Sequence, residues 1–188
     1  MAEKKAAGPP PTETRLREAA LAHLARYATT QAGLVRVLDR RVARWAQATE
    51  NPDPEVIATA RIAVRNVAAR LVASGVIDDA AFAASRARSL TRTGRSRLAV
   101  AAHLAARGVD QAVAQAALPQ DTEAELAAAV AFCRRRRIGP FARPDDTRDP
   151  KRSLGMLARG GFAQSIASTA LDLDPDAAED ILIRLKQA

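Results

Sequence analysis

Two stretches, Leu104-Ala-Ala-Arg-Gly-Val109 and Leu157-Ala-Arg-Gly-Gly-Phe162, decide how this chain is read. In each, a glycine (Gly108 or Gly161) follows a leucine by four residues, and a hydrophobic residue comes directly after it. A glycine so placed ends a helix, because it enters the left-handed backbone region without the penalty a Cβ imposes. Both units then close nine residues after Val109 or Phe162, in Ala117-Leu118 and Ala170-Leu171. The match is a helix, a glycine stop, a hydrophobic anchor and a short helix. It recurs after about 50 residues, within the range of helical repeat arrays.

Working outward, Asp78-Asp79 opens a helix that runs to about Leu90, and Thr93-Gly94 breaks it. Ser96 caps a helix through Ala106, and Asp110 caps a short one reaching Leu118. After Pro119, helices are expected from about Thr122 to Arg137, Asp149 to Arg159 and Ala163 to Leu171. Asp174-Pro175 then opens a last helix with Ile181, Leu182 and Leu185 inward, and a loop with Gly139, Pro140 and Pro144 spans Ile138 to Thr147. Toward the N-terminus, Leu16 to Ala28 carries Leu16, Ala20, His23, Leu24 and Tyr27 on one helical face. Thr29 or Thr30 caps a second helix with Leu34, Val35, Leu38, Val42 and Trp45, and Asp53-Pro54 opens a third with Ile57, Val64, Val67, Leu71 and Val72. The expected fold is all-α: tandem three-helix repeats forming an elongated, curved array. The expected divisions are a disordered tail over residues 1–13, a first repeat over 14–74 with an insertion near 49–54, a central repeat over 77–118, and a third over 121–188 with a C-terminal helix.

Composition agrees with this class. Hydrophobic residues make up 48% of the 188 residues and aromatics only 3%, so the core is built from Ala, Leu, Val and Ile. Alanine loses no side-chain entropy in a helix, which favours that state. The single cysteine, Cys133, excludes an intrachain disulfide. No run approaches the roughly 20 apolar residues of a membrane span, the N-terminus lacks the apolar stretch of a signal peptide, and a cytoplasmic monomer is expected.

The formal net charge of +8 attracts polyanions, and arginine supplies nearly all of it. Between Ala80 and Val109 there is no acid, whereas Arg86, Arg88, Arg92, Arg95, Arg97 and Arg107 all occur. Arg95 and Arg97 flank a helix start whose free N–H groups favour anions, and are the leading candidates to meet phosphate or an acidic protein surface. Arg134, Arg135, Arg136 and Arg137 form a second cluster. Four consecutive helical residues sweep about 300°, so at least one lies along apolar surface. Lys151, Arg152 and Arg159 continue the basic character, with Arg143 and Arg148 nearby. Acids gather at Asp121, Glu123 and Glu125, and again from Asp172 to Asp180, where they suit helix starts.

Chemistry finds little support. Asp78 and Asp79 point about 100° apart on a helix and read as caps, Asp79 foremost, rather than as paired catalytic carboxylates. His23 and His103 are isolated and fit packing positions. Cys133 lacks a thiol partner, and no phosphate-binding glycine-rich loop occurs. No enzyme, cofactor or metal is expected.

Gly75-Val-Ile-Asp-Asp-Ala-Ala-Phe-Ala83, followed by Gly94-Arg-Ser-Arg-Leu98 and Leu104-Ala-Ala-Arg-Gly-Val109, resembles the RecX regulatory proteins in order and spacing. The resemblance covers roughly Leu16 to Leu171 and is strongest between Leu71 and Leu118. It departs from the family pattern at Thr49 to Pro54 and in the loop after Arg137. The resemblance implies three-helix repeats that bind the RecA recombinase filament along its groove and restrain ATPase, filament extension and strand exchange in recombination and repair. Weak binding to single- or double-stranded DNA is expected beside it. A non-specific basic DNA-binding module acting without recombinase is the alternative, and a membrane-surface helix protein a third class. The scarcity of exposed stacking aromatics argues against a dedicated single-strand binder.

Overall fold

The computed structural model describes residues 8–143 and 149–187. Among these, ten α-helices and one 3-10 turn follow one another without a strand. The helices are α1 Glu13–Leu24, α2 Gln31–Ala48, α3 Pro54–Ala73, α4 Asp79–Arg92, α5 Arg97–Arg107 and α6 Gln111–Ala117. They continue as α7 Thr122–Arg136, α8 Pro150–Arg159, α9 Gln164–Asp172 and α10 Pro175–Gln187, with the 3-10 turn at Gly139–Phe141 after α7. Short oxygen-bearing side chains begin most of them. Thr12, Thr30, Asp53, Asp110, Asp121 and Asp149 each accept a backbone N–H of the first turn. Such a bond satisfies one of the donors that a helix start leaves free. Pro54 and Pro150 follow their caps, where a missing N–H costs nothing.

The chain folds as two compact units. One holds the described residues up to Phe82 together with Arg107–Val109; the other holds Ala83–Ala106 and the described residues from Asp110 onward. In the first unit α3 packs against α1 and α2, burying Leu16, Leu34, Leu38, Val42, Val64, Val67 and Ile77. In the second, α7 is the central element, with Ala127 to Cys133 buried without interruption. A helix buried on every side needs neighbours all round it, and Leu157, Phe162, Ala167, Ala170 and Leu182 surround this one. Small alanines let those neighbours approach, which is how so few aromatics still fill a core.

Several expectations shift. The first helix ends at Leu24, not Ala28, because the N–H groups of Ala25 and Tyr27 close the last turn onto Leu21 and His23. Tyr27 therefore leaves the apolar face; it is 59% exposed and its ring sits 5.2 Å from that of His23. The tail expected through residue 13 is replaced by order at its end. Trp45 donates its indole N–H to the Gly8 carbonyl at 2.9 Å, Pro11 is buried and Glu13 already belongs to α1. Residues 1–7 of that tail, residues 144–147 of the expected loop, and Arg148 lie outside the described residues. Val72 is 39% exposed rather than inward.

Candidate anion-binding groove

The elements that carry the basic residues are held by one arrangement used twice, once within each compact unit. In the first unit, buried Thr30 accepts the Gly33 N–H at 2.9 Å and donates its hydroxyl to the Arg107 carbonyl at 2.7 Å. Beside it, Asp79 accepts the Gln31 N–H at 2.9 Å. In the second unit, buried Ser96 accepts the Ala99 N–H at 3.1 Å and donates to the Gly160 carbonyl at 2.7 Å. Glu125 there accepts the Arg97 N–H at 2.9 Å. Each joint is thus a helix start held by its own hydroxyl and by an acid from another helix. A helix start carries several free N–H groups, so two acceptors satisfy more of them than one. The glycine stop completes both joints. Gly108 (φ 79°) presses on Ala32, and a Cβ on Gly161 (φ 86°) would stand 2.7 Å from the Ser96 Oγ.

The second joint borders a groove lined by Gly94, Arg95, Phe132, Arg135, Arg136, Met156, Arg159 and Gly160, with a volume of ≈ 610 Å³. Arg95 comes from the turn between α4 and α5, Arg135 and Arg136 from the end of α7, and Arg159 from the end of α8. Gly94 lets that turn lie against α7, since a Cβ would fall 2.5 Å from the Phe132 nitrogen. The guanidinium carbons of Arg135 and Arg136 stand 5.4 and 5.6 Å from the Phe132 ring centroid, within cation–π range. Arg135 also donates to the Thr93 carbonyl at 2.8 Å. Its acidity is raised relative to an ordinary arginine by burial first and then by the charges of Arg136 and Arg95. Among the described residues no carboxylate lies within ion-pair distance of these four arginines. Four cationic forks lining one groove, two of them over a buried ring, form a site suited to an anion with several oxygens.

The sequence-derived candidates divide accordingly. Arg95, Arg135, Arg136 and Arg159 converge. Arg134 is exposed on the last turn of α7 but does not line the groove. Arg137 is not helical. It adopts φ 54° as the cap of α7, so that the Ile138 N–H returns to the Cys133 carbonyl and the Ile138 side chain enters the core. The four-residue helical sweep therefore stops at Arg136. Arg88 and Arg92 are exposed on α4, and Lys151 and Arg152 on the first turn of α8. Arg86 is half-buried and donates to His103 Nε2 at 3.2 Å. Arg107 contributes its carbonyl to the first joint, where Arg36 also donates to it at 2.9 Å.

Two readings are corrected. The start of α5, taken as an open anion site flanked by Arg95 and Arg97, is occupied internally by Glu125. Burial raises the Glu125 carboxyl above its ordinary range, against the lowering effects of the Arg97 N–H and charge. Asp79 does not cap its own helix: Asp78 accepts the Ala81 N–H at 2.8 Å, while Asp79 serves α2. Phe132, a core residue, is also the platform for two guanidinium groups. No local signal marks that role, since it depends on where the helix ends.

Burial pushes the Cys133 thiol up to about 12, which keeps it protonated and unreactive. Among the described residues no group of three or more His, Cys, Asp and Glu is placed to hold a metal ion, and no helix is long and apolar enough to cross a membrane.

Comparison with known proteins agrees with this geometry. Residues 78–118 match the family model described as RecX, second three-helix domain. A protein of Myxococcus xanthus named Regulatory protein RecX is 37% identical, over 86% of this chain and 87% of its own length. A protein of the same name from Thermobifida fusca is 36% identical over 75% of this chain and 76% of its own. One from Agrobacterium fabrum is 40% identical over 56% and 57%. A solved structure described as that of regulatory protein RecX superposes with a TM-score of 0.62 at 22% identity, covering 86% of this chain and 72% of the other, and so shares the fold. With two of these relatives matched along three quarters or more of their length, and the central three-helix domain recognised between Asp78 and Leu118, the chain belongs to the RecX family.

Proposed function

We propose that this chain regulates a recombinase filament: it docks on RecA assembled on DNA and restrains ATP hydrolysis, filament extension and strand exchange. The observation that carries the reading is the groove lined by four arginines, which no carboxylate among the described residues pairs, on a scaffold whose relatives are named regulatory proteins. Three repeats, over residues 14–74, 77–118 and 121–188, bridge successive recombinase subunits, and bridging hinders the subunit motions that strand exchange needs. The chain works as a monomer in the cytoplasm and brings no chemistry of its own; hydrolysis stays with the recombinase. Arg88, Arg92, Lys151 and Arg152 are exposed and add further positive charge to the surface.

The test is the DNA-dependent ATPase of the recombinase with the purified chain added at stoichiometric ratio. Inhibition is expected. An unchanged rate, with the chain folded and present, removes the mechanism. Tight sequence-specific DNA binding at physiological salt would instead favour an independent DNA-binding module.

A further inference from the structure

The two joints provide an internal comparison. Their shared parts are a hydroxyl cap (Thr30, Ser96), an acid from another helix (Asp79, Glu125) and the carbonyl just before a glycine stop (Arg107, Gly160). Counted along the sequence from those parts, the groove arginines of the second joint correspond to uncharged residues earlier in the chain. Arg95 corresponds to Thr29, Arg135 and Arg136 to Ser89 and Leu90, and Arg159 to Ala106. The repeat architecture is therefore built without these four charges. They are an addition, placed where like charges share one groove, two of them over one ring, and no described carboxylate pairs with them. Such crowding is relieved when an anion enters.

We propose that the groove formed by Arg95, Arg135, Arg136 and Arg159 seats the backbone of a nucleic acid, gripping phosphodiester oxygens and leaving the bases unread. This rests on the reading that the chain works on a recombinase–DNA filament. One feature selects a phosphate backbone over an acidic protein segment. Protein anchors seek an apolar pocket, and the one ring here is 6% exposed and already covered by two guanidinium groups. No ring is left to stack on a base, so binding is independent of sequence.

The experiment uses the full chain and a fluorescein-labelled single-stranded oligonucleotide, followed by anisotropy across a salt series. The groove variant is Arg95→Ala with Arg159→Ala, both exposed residues. The charge-matched control is Arg17→Ala with Arg26→Ala, both exposed in the other unit. Each phosphate contact on a single strand contributes about 0.7 to the slope of log affinity against log salt, so the groove variant should flatten it by roughly 1.4. The control should leave the slope unchanged, and oligo-dT and mixed sequence should behave alike. An unchanged slope in the groove variant, or equal flattening in the control, overturns the assignment. So does a groove variant that releases a poly-glutamate peptide while holding DNA as before. Should the alanine variant fail to fold, Arg95→Lys with Arg159→Lys decides: the slope stays and affinity falls severalfold, because a point charge replaces the bidentate fork. Affinity unaltered by lysine also contradicts the proposal. If wild type binds DNA through the groove yet leaves the recombinase ATPase untouched, the regulatory reading fails and this one stands.

Discussion

Thr30, Asp79 and the Arg107 carbonyl meet in the first unit much as Ser96, Glu125 and the Gly160 carbonyl meet in the second. Around the first lies a pocket lined by Ala32, Val35 and Ala69 together with Arg36, Arg65, Asn66 and Asp79. Around the second lies a groove lined by four arginines, two of them over the Phe132 ring. The parts that hold the joint are shared, and the surroundings are not. In this fold the hydroxyl, the acid and the glycine do structural work, while charge varies independently of them. A second difference concerns redundancy. The Arg107 carbonyl has two side-chain donors, Thr30 and Arg36, whereas Ser96 is the side-chain donor to the Gly160 carbonyl.

The largest effect should come from the glycine stops. Gly108→Ala and Gly161→Ala each force a Cβ into a left-handed backbone, at about 1–2 kcal/mol, and against close neighbours, at about 1–3 kcal/mol. Urea denaturation should show a loss of about 3 kcal/mol for each. A loss below about 1 kcal/mol at one glycine would mean that its joint is not closely packed.

The hydroxyls come next and separate the joints. Ser96→Ala removes a cap and a donor to a carbonyl, for about 2 kcal/mol. Thr30→Val keeps the shape and leaves Arg36 on the Arg107 carbonyl, so about 1 kcal/mol is expected. Equal losses would show that the second donor is without consequence.

The smallest effect is the acid of the second joint. Burial raises the folded-state pKa of Glu125 above the ordinary 4.5. The folded chain then binds that proton more tightly than the unfolded one. The resulting stabilisation is complete below the unfolded value and is lost as pH rises through the folded one. Glu125→Gln keeps an acceptor for the Arg97 N–H without the charge. Across the window just above 4.5, wild type should therefore lose stability relative to the glutamine variant as pH rises. Parallel pH profiles for the two proteins would contradict this account of the carboxyl.

These contrasts also show what the sequence makes legible. Caps such as Asp53, Asp110 and Asp149 act on residues two or three positions away, so the helices they open are readable from local order. The end of α1 is not, because Ala25 to Ala28 contains no breaker and the chain turns early before the joint at Thr30. The site divides in the same way. Arg95 stands out through an acid-free stretch, and Arg135, Arg136 and Arg159 through local charge. Their convergence on one groove depends on a turn and two helices meeting in space, and no spacing in the chain encodes that directly. Glu125 illustrates the reverse: read as a charge at its own helix start, it spends its oxygens on another helix.

The most direct measurement is co-sedimentation of the purified chain with recombinase filaments assembled on DNA, beside DNA alone. The chain should pellet with the filaments at near-stoichiometric amounts and only weakly with bare DNA. Equal recovery with bare DNA, or a chain that stays in the supernatant beside intact filaments, would contradict the account.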